Sequence, residues 1–115
     1  MPATSQILLP STSHTSEPGV ETITGEKTKG AGFYGLGYGL HTVSFQVTDF
    51  SGELKIQATL AADPQETDWF DVNGITYSGS TATEVNIQNF IGNFVWVRVI
   101  GTFTSGTVNR ILLNY

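Results

Sequence analysis

"HTVSFQVTDFSGELKIQATL", residues 41–60, alternates apolar and polar side chains with a period of two. Val43, Phe45 and Val47 point one way, and Thr42, Ser44, Gln46 and Thr48 point the other. After "DFSG", which reads as a turn, Leu54, Ile56, Ala58 and Leu60 share one face and Glu53, Lys55, Gln57 and Thr59 the opposite face. Side chains on a strand alternate between faces, so this is the pattern of two half-buried strands. A slip of one residue would turn every apolar side chain outward, which fixes the register.

The same kind of segment recurs downstream. "ADPQETD" is a turn containing Pro64, and "WFDV" and "ITYS" read as short strands around Asn73-Gly74, a hairpin signal. "EVNIQNF" places Val85 and Ile87 inward. "FVWVRVIGTF" is the longest apolar segment, with Val95, Val97 and Val99 on one face and Phe94, Trp96 and Arg98 on the other. "TSG" reads as a turn, after which "TVNRILLNY" puts Ile111, Leu113 and Tyr115 on one face. No segment has a helical period. About seven or eight short strands at regular spacing predict an all-β fold, an antiparallel β-sandwich of jelly-roll-like type ahead of a barrel.

The 115 residues fit one domain. Residues 30–115 form the predicted sandwich. Residues 1–29, rich in Ser, Thr and Pro, read as an extended N-terminal arm with a short strand at Gln6–Leu9. Charged residues are only 13% of the chain, too few for disorder driven by charge. Five Lys and Arg against a net charge of −5 form no basic stripe, so no direct nucleic-acid contact is expected. The absence of cysteine excludes disulfides, thiolate catalysis and Cys-based zinc sites. No apolar run approaches the roughly 20 residues of a membrane-spanning helix. The first residues lack the basic start of a signal peptide, so synthesis in a cytoplasm is expected.

Chemistry concentrates in "DPQETDWFDVNG", residues 63–74. Asp63, Glu66, Asp68 and Asp71 read first as solvated turn charges. A calcium loop built from the same four is the alternative, although the EF-hand spacing is missing. A glycosidase pair would need two carboxylates roughly 5 to 10 Å apart across a cleft. Gly30, Gly32 and Gly35 match G-x-G-x-x-G, but the strand-like "HTVSFQV" follows where a dinucleotide site needs a helix. His14 and His41 stand apart, with no nucleophile, base and orienting group in one local constellation. No enzymatic activity and no cofactor are expected, calcium being the one ion the acidic stretch would suit.

"FSGELKIQATLAADPQETDWFDV" and "GNFVWVRVIGTFTSGTVNRILLNY" resemble a recurrent module of tailed-bacteriophage virion proteins. The shared frame is Phe50, Gly52, Ile56, Gln57, Ala58 and Leu60; Asp68, Trp69 and Phe70; Phe94, Trp96 and Arg98; then Ser105, Gly106, Thr107, Ile111 and Tyr115. "GAGFYGLGYGLHTVSFQVTDF" likewise resembles virion proteins of marine, cyanophage-like myoviruses. The resemblance covers residues 30–115. It implies a non-catalytic β-sandwich in a phage particle, as a capsid decoration protein or a tail or fibre component. Its expected partners are major capsid or tail proteins and further copies of itself in a homo-oligomer. Expected contact residues are Ile7, Leu8 and Leu9 of the arm, Phe33, Tyr34 and Tyr38 of the Gly-rich stretch, and Trp96 and Arg98. The opposing expectation is a carbohydrate-binding module, with Trp69, Tyr77, Tyr34 and Tyr38 as a glycan platform and a structural calcium on the acidic turn.

Overall fold

The computed structural model describes residues 6–14, 19–35, 39–79 and 82–115. Their strands are β1 (Gln6–Leu9), β2 (Thr12–Ser13), β3 (Glu21–Thr24), β4 (Thr28–Lys29), β5 (Leu40–Thr59), β6 (Phe70–Ser78), β7 (Thr83–Ile91) and β8 (Trp96–Asn114). Single 3-10 turns occupy Ala31–Tyr34 and Glu66–Asp68. Every strand pair is antiparallel.

The fold is organised by two long strands. β5 and β8 lie side by side from Thr42 opposite Asn114 to Thr59 opposite Trp96. The first half of β5 takes β7 on its other side, and the second half takes β6. The free side of β8 carries β1 and β2 along its second half and β3 and β4 along its first. Both long strands bend midway and so contribute to two layers. Sheet I runs β7-β5-β8-β1/β2, and sheet II runs β6-β5-β8-β3/β4. If each bent strand is counted as two segments, numbered along the chain, the orders are 1-8-3-6 and 2-7-4-5. That is jelly-roll topology, an antiparallel β-sandwich built from two Greek keys. The smallest extent of the molecule, 22 Å, suits two sheets about 10 Å apart with side chains on their outer faces.

Between the sheets lie Val43, Phe45 and Val47 from sheet I and Leu54, Ile56, Ala58, Val97 and Val99 from sheet II, all fully buried. Phe45 stacks on Tyr77 of β6 with ring centroids 5.7 Å apart, tying the layers together. Ile111 and Leu113 are also buried, as their alternation predicts.

Several local expectations are corrected. "DFSG" and "TSG" are not chain-reversing turns but bends within continuous strands. The ladder between β5 and β8 shifts register around Thr48 to Gly52 and then continues. Asp49 has φ 49° and Gly106 has φ 95° at this bend. Asn73-Gly74 closes no hairpin, because β6 is a single strand. Its extra length is absorbed as a bulge between Thr76, opposite Lys55, and Asp71, opposite Gln57. Leu60, beyond the end of β5, is 65% exposed rather than inward.

The arm packs on its own sandwich, and its strand at Gln6–Leu9 is β1. Its described residues, 6–14 and 19–29, are the outer edge of both sheets, and Leu8, Leu9 and Ile23 belong to the core. β7 is inside out relative to expectation. Val85 and Ile87 are 57% and 63% exposed, and Phe90 is the strand's buried residue.

Candidate functional site

The outer face of sheet II is a polar groove. β8 sends Trp96, Arg98, Ile100 and Thr102 outward because Val97, Val99 and Phe103 face the core. β5 adds Glu53, Lys55 and Gln57, β3 adds Thr22 and Thr24, and the 3-10 turn at Glu66–Asp68 closes one side. The groove has a volume of about 590 Å³.

Arg98 is its anchor. The Nη1 and Nη2 groups donate to Glu66 Oε1 and Oε2 at 3.1 Å each, and Nε donates to Gln57 Oε1 at 2.9 Å. The guanidinium lies over the Trp69 ring, 4.3 Å from its centroid. A forked carboxylate pair and a stacked ring suit the planar, multiply donating guanidinium. Arg98 hydrogen bonds and its positive charge hold the Glu66 carboxyl below its ordinary pKa.

The other carboxylates take separate roles. Asp68 Oδ2 accepts from the Gln65 backbone N–H at 2.8 Å, capping its own 3-10 turn. Asp71 Oδ1 accepts from Gln57 Nε2 at 3.0 Å, and Lys55 lies 4.0 Å from its other oxygen. Asp63 is exposed in the preceding loop. Three of the four expected metal ligands, Glu66, Asp68 and Asp71, therefore serve different partners. Among the described residues no three His, Cys, Asp or Glu side chains are grouped to hold a metal ion.

At the end of the groove, Trp96 meets the 3-10 turn of the Gly-rich stretch. Phe33 lies 5.1 Å from the Trp96 ring and 5.3 Å from Tyr34. Lys27 sits over Trp96 at 4.6 Å and Lys29 over Phe33 at 4.7 Å. The Trp96 indole N–H donates to the Ala62 carbonyl at 2.9 Å, so its plane is fixed. The turn itself is held by His41, which is fully buried. His41 Nε2 accepts from the Ala31 N–H at 3.1 Å and Nδ1 donates to the Gly39 carbonyl at 2.9 Å. Its ring stacks on Phe90 with centroids 4.8 Å apart. Burial holds the His41 pKa below its ordinary value, against the opposing effect of the Gly39 hydrogen bond.

The outer face of sheet I has another character. Ile7, Leu40, Val85, Ile87 and Ile91 are all exposed there, and half-buried Leu112 lies between them. Ile7 pairs with Leu112, Leu112 with Ser44, and Ser44 with Ile87, so the row that crosses the sheet is apolar on both sides of Ser44.

Of the expected contact residues, Phe33, Tyr34 and Trp96 converge on one patch, with Arg98 two residues further along β8. Ile7 lies on the apolar face of sheet I. Leu8 and Leu9 are core residues, because the arm is a sheet edge. Tyr38 lies outside the described residues. The expected glycan platform does not assemble: Tyr77 is 4% exposed between the sheets, and Trp69 carries Arg98 on its ring. Sequence reasoning did not single out Leu40, Val85, Ile87 and Ile91 as surface residues. It also missed Lys55 and Gln57 of the groove, although their place on the polar face of a period-two strand was the available signal.

No family model and no curated protein matches the chain. Among solved structures it is similar to a family 29 carbohydrate-binding module from Piromyces equi. The match has 10% identity and a TM-score of 0.44, and covers 100% of this chain and 93% of that one.

Proposed function

We propose that this chain is a non-enzymatic structural module of a bacteriophage particle, a capsid decoration or tail and fibre component that assembles through its sheet surfaces. The observation that carries this reading is the set of exposed apolar side chains on the outer face of sheet I, where Val85, Ile87 and Ile91 line β7 and Leu40 stands opposite Ile91. Single exposed apolar residues are ordinary on soluble proteins, whereas a contiguous apolar area marks an interaction site. A binding or structural role also fits the polar groups. Glu66, Asp68, Asp71 and both nitrogens of His41 hold other parts of the chain in place. The sequence's resemblance to phage virion proteins supplies the context. The test is mass spectrometry of purified particles of the phage encoding the chain, with binding of the purified protein to particles made without it. Stoichiometric presence and rebinding support the proposal. Absence from the particles removes it.

A second reading is favoured by the groove of sheet II. Its hydroxyl, amide and charged groups, with Trp96 and Phe33 at one end, would suit a glycan as a non-covalent ligand. Titration of tryptophan fluorescence with soluble glycans tests this, with Gln57→Ala as the control. A saturable change lost in that variant supports it, and no change with any glycan eliminates it.

A further inference from the structure

The four edges of the sandwich are not equally protected against pairing with another strand. The edge formed by β1 and β2 is broken by a register shift between Ile7 and Leu9 and by Pro10. The edge formed by β3 and β4 consists of pieces four and two residues long, separated by Gly25, Glu26 and Lys27. β6 carries a bulge in its ladder. Short edges, prolines, lysines and bulges are the usual devices that blunt an edge strand. β7 has none of them. It runs nine residues, Thr83–Ile91, in unbroken register with β5, and contains no Gly, Pro, Lys or Arg. Its single charge, Glu84, accepts a hydrogen bond from the Tyr77 hydroxyl at 2.5 Å.

The ladder shows which backbone groups of β7 face outward. The Gly92 N–H donates to the Gly39 carbonyl and the Asp49 N–H to the Ala82 carbonyl. Even-numbered positions therefore turn their backbone groups toward β5, and hydrogen-bonded pairs alternate along an antiparallel ladder. The odd positions, Thr83, Val85, Ile87, Asn89 and Ile91, direct N–H and C=O away from the sheet. These are also the residues whose side chains lie on the exposed apolar face. Among the described residues β7 pairs with β5 alone.

We propose that β7 is a homotypic docking edge. Two copies of this chain pair β7 with β7, antiparallel about a two-fold axis, and join their two sheets I into one continuous sheet. An isologous contact requires a self-complementary surface, and a strand whose outward-facing positions carry no charge and present backbone groups at every second residue meets that requirement. With Ile87 opposite its own equivalent, Val85 faces Asn89 and Thr83 faces Ile91, and the glutamates do not oppose each other. A partner of strong charge of either sign would gain nothing from this edge, which is why a second copy is the occupant assigned. The strand is about 30 Å long. One such edge buries less than the roughly 800 Å² per partner of a stable interface. The dimer is therefore weak alone and is reinforced where many copies are arrayed. The inference deepens the assembly reading by naming a partner, and it rests on that reading.

Sedimentation velocity over a concentration series from about 1 μM to 1 mM tests it, with hydrogen exchange at both extremes. The expected result is a reversible monomer–dimer equilibrium in which the amides of Val85, Ile87 and Asn89 gain protection in the dimer. The amides of Asn86 and Gln88 are protected at every concentration. Ile87→Pro removes an outward N–H without touching the β5 ladder and is expected to shift the dissociation constant at least tenfold. Ile87→Thr keeps the N–H and retains the dimer. A chain monomeric to the highest concentration overturns the proposal, as does a dimer whose odd-numbered β7 amides exchange freely. The wild-type exchange pattern decides even if Ile87→Pro fails to fold. A monomer that still incorporates into particles would reject this edge and leave the virion reading standing, whereas a β7 dimer absent from particles would do the reverse.

Discussion

Asp49 and Gly106 meet at the point where both long strands bend. A Cβ placed on Gly106 would lie 2.2 Å from the Asp49 carbonyl oxygen, and Gly106 has φ 95°. The two residues together form the corner at which one sheet becomes the other. A side chain at position 106 would meet both a disfavoured backbone conformation and a backbone contact that cannot give way.

Gly106→Ala is accordingly expected to destabilise the domain by at least about 2 kcal/mol. Urea denaturation followed by tryptophan fluorescence measures it. An unchanged midpoint would mean that the corner relaxes without cost.

His41 makes stability depend on pH near neutrality. Its folded pKa is lowered, chiefly by burial, so the folded state binds a proton less readily than the unfolded chain. Stability from this group is full above the unfolded value of about 6.5 and is lost as pH falls below it. The urea midpoint should drop between about pH 7 and pH 5 in the wild type. His41→Phe, which removes the titration, should flatten that slope even though it loses the Ala31 and Gly39 hydrogen bonds.

Arg98 and Glu66 are partners of unequal importance. Arg98 is 9% exposed, whereas the Glu66 side chain is 81% exposed. Arg98→Ala removes the stacking over Trp69 and leaves Gln57 without its donor, an expected loss of about 1–3 kcal/mol. Glu66→Gln should cost clearly less. Because the folded pKa of Glu66 is lowered, its contribution is present above the unfolded carboxylate value and fades as pH falls through the folded one. Thermal unfolding of both variants at neutral and acid pH checks the order, and equal losses would contradict it.

The facing of β7 has its own test. Val85→Ser should change monomer stability by no more than about 0.5 kcal/mol, whereas Phe45→Ala should cost about 3–5 kcal/mol. Chemical denaturation at low protein concentration separates these values. A large loss for Val85→Ser would place that side chain in the core.

The interior of β5 and the core half of β8 were legible because period two is local. Val43, Phe45, Val47, Leu54, Ile56 and Ala58 face inward as read, and of the two faces of β8 left open by the sequence the one with Val97 and Val99 is the buried one. Period two gives two faces but not which one is buried, and in β7 the apolar set is the outward one. There the inward polar residues are satisfied by each other and by β6: Gln88 donates to Asn86 Oδ1 and to the Thr76 carbonyl, and Glu84 accepts from Tyr77. "DFSG" and "TSG" carry ordinary turn chemistry, and only a neighbouring strand bending at the same place lets each continue as strand. Of the arm, the strand at Gln6–Leu9 was legible, whereas β2, β3 and β4 are too short to show alternation and take their register from β8. In the groove, the partner of Arg98 lies 32 residues away in the acidic stretch, a pairing no local pattern announces.

The two ends of the described chain lie side by side, since Gln6 is paired with Leu113. A mechanical load applied across them would act at right angles to the strands. It would peel β1 from β8 one hydrogen bond at a time, at low force, and would remove Leu8 and Leu9 from the core first. The same load applied between Thr42 of β5 and Trp96 of β8, at opposite ends of their shared ladder, would have to slide the two strands past each other, breaking many bonds together. How this sandwich resists tension thus depends on where it is held.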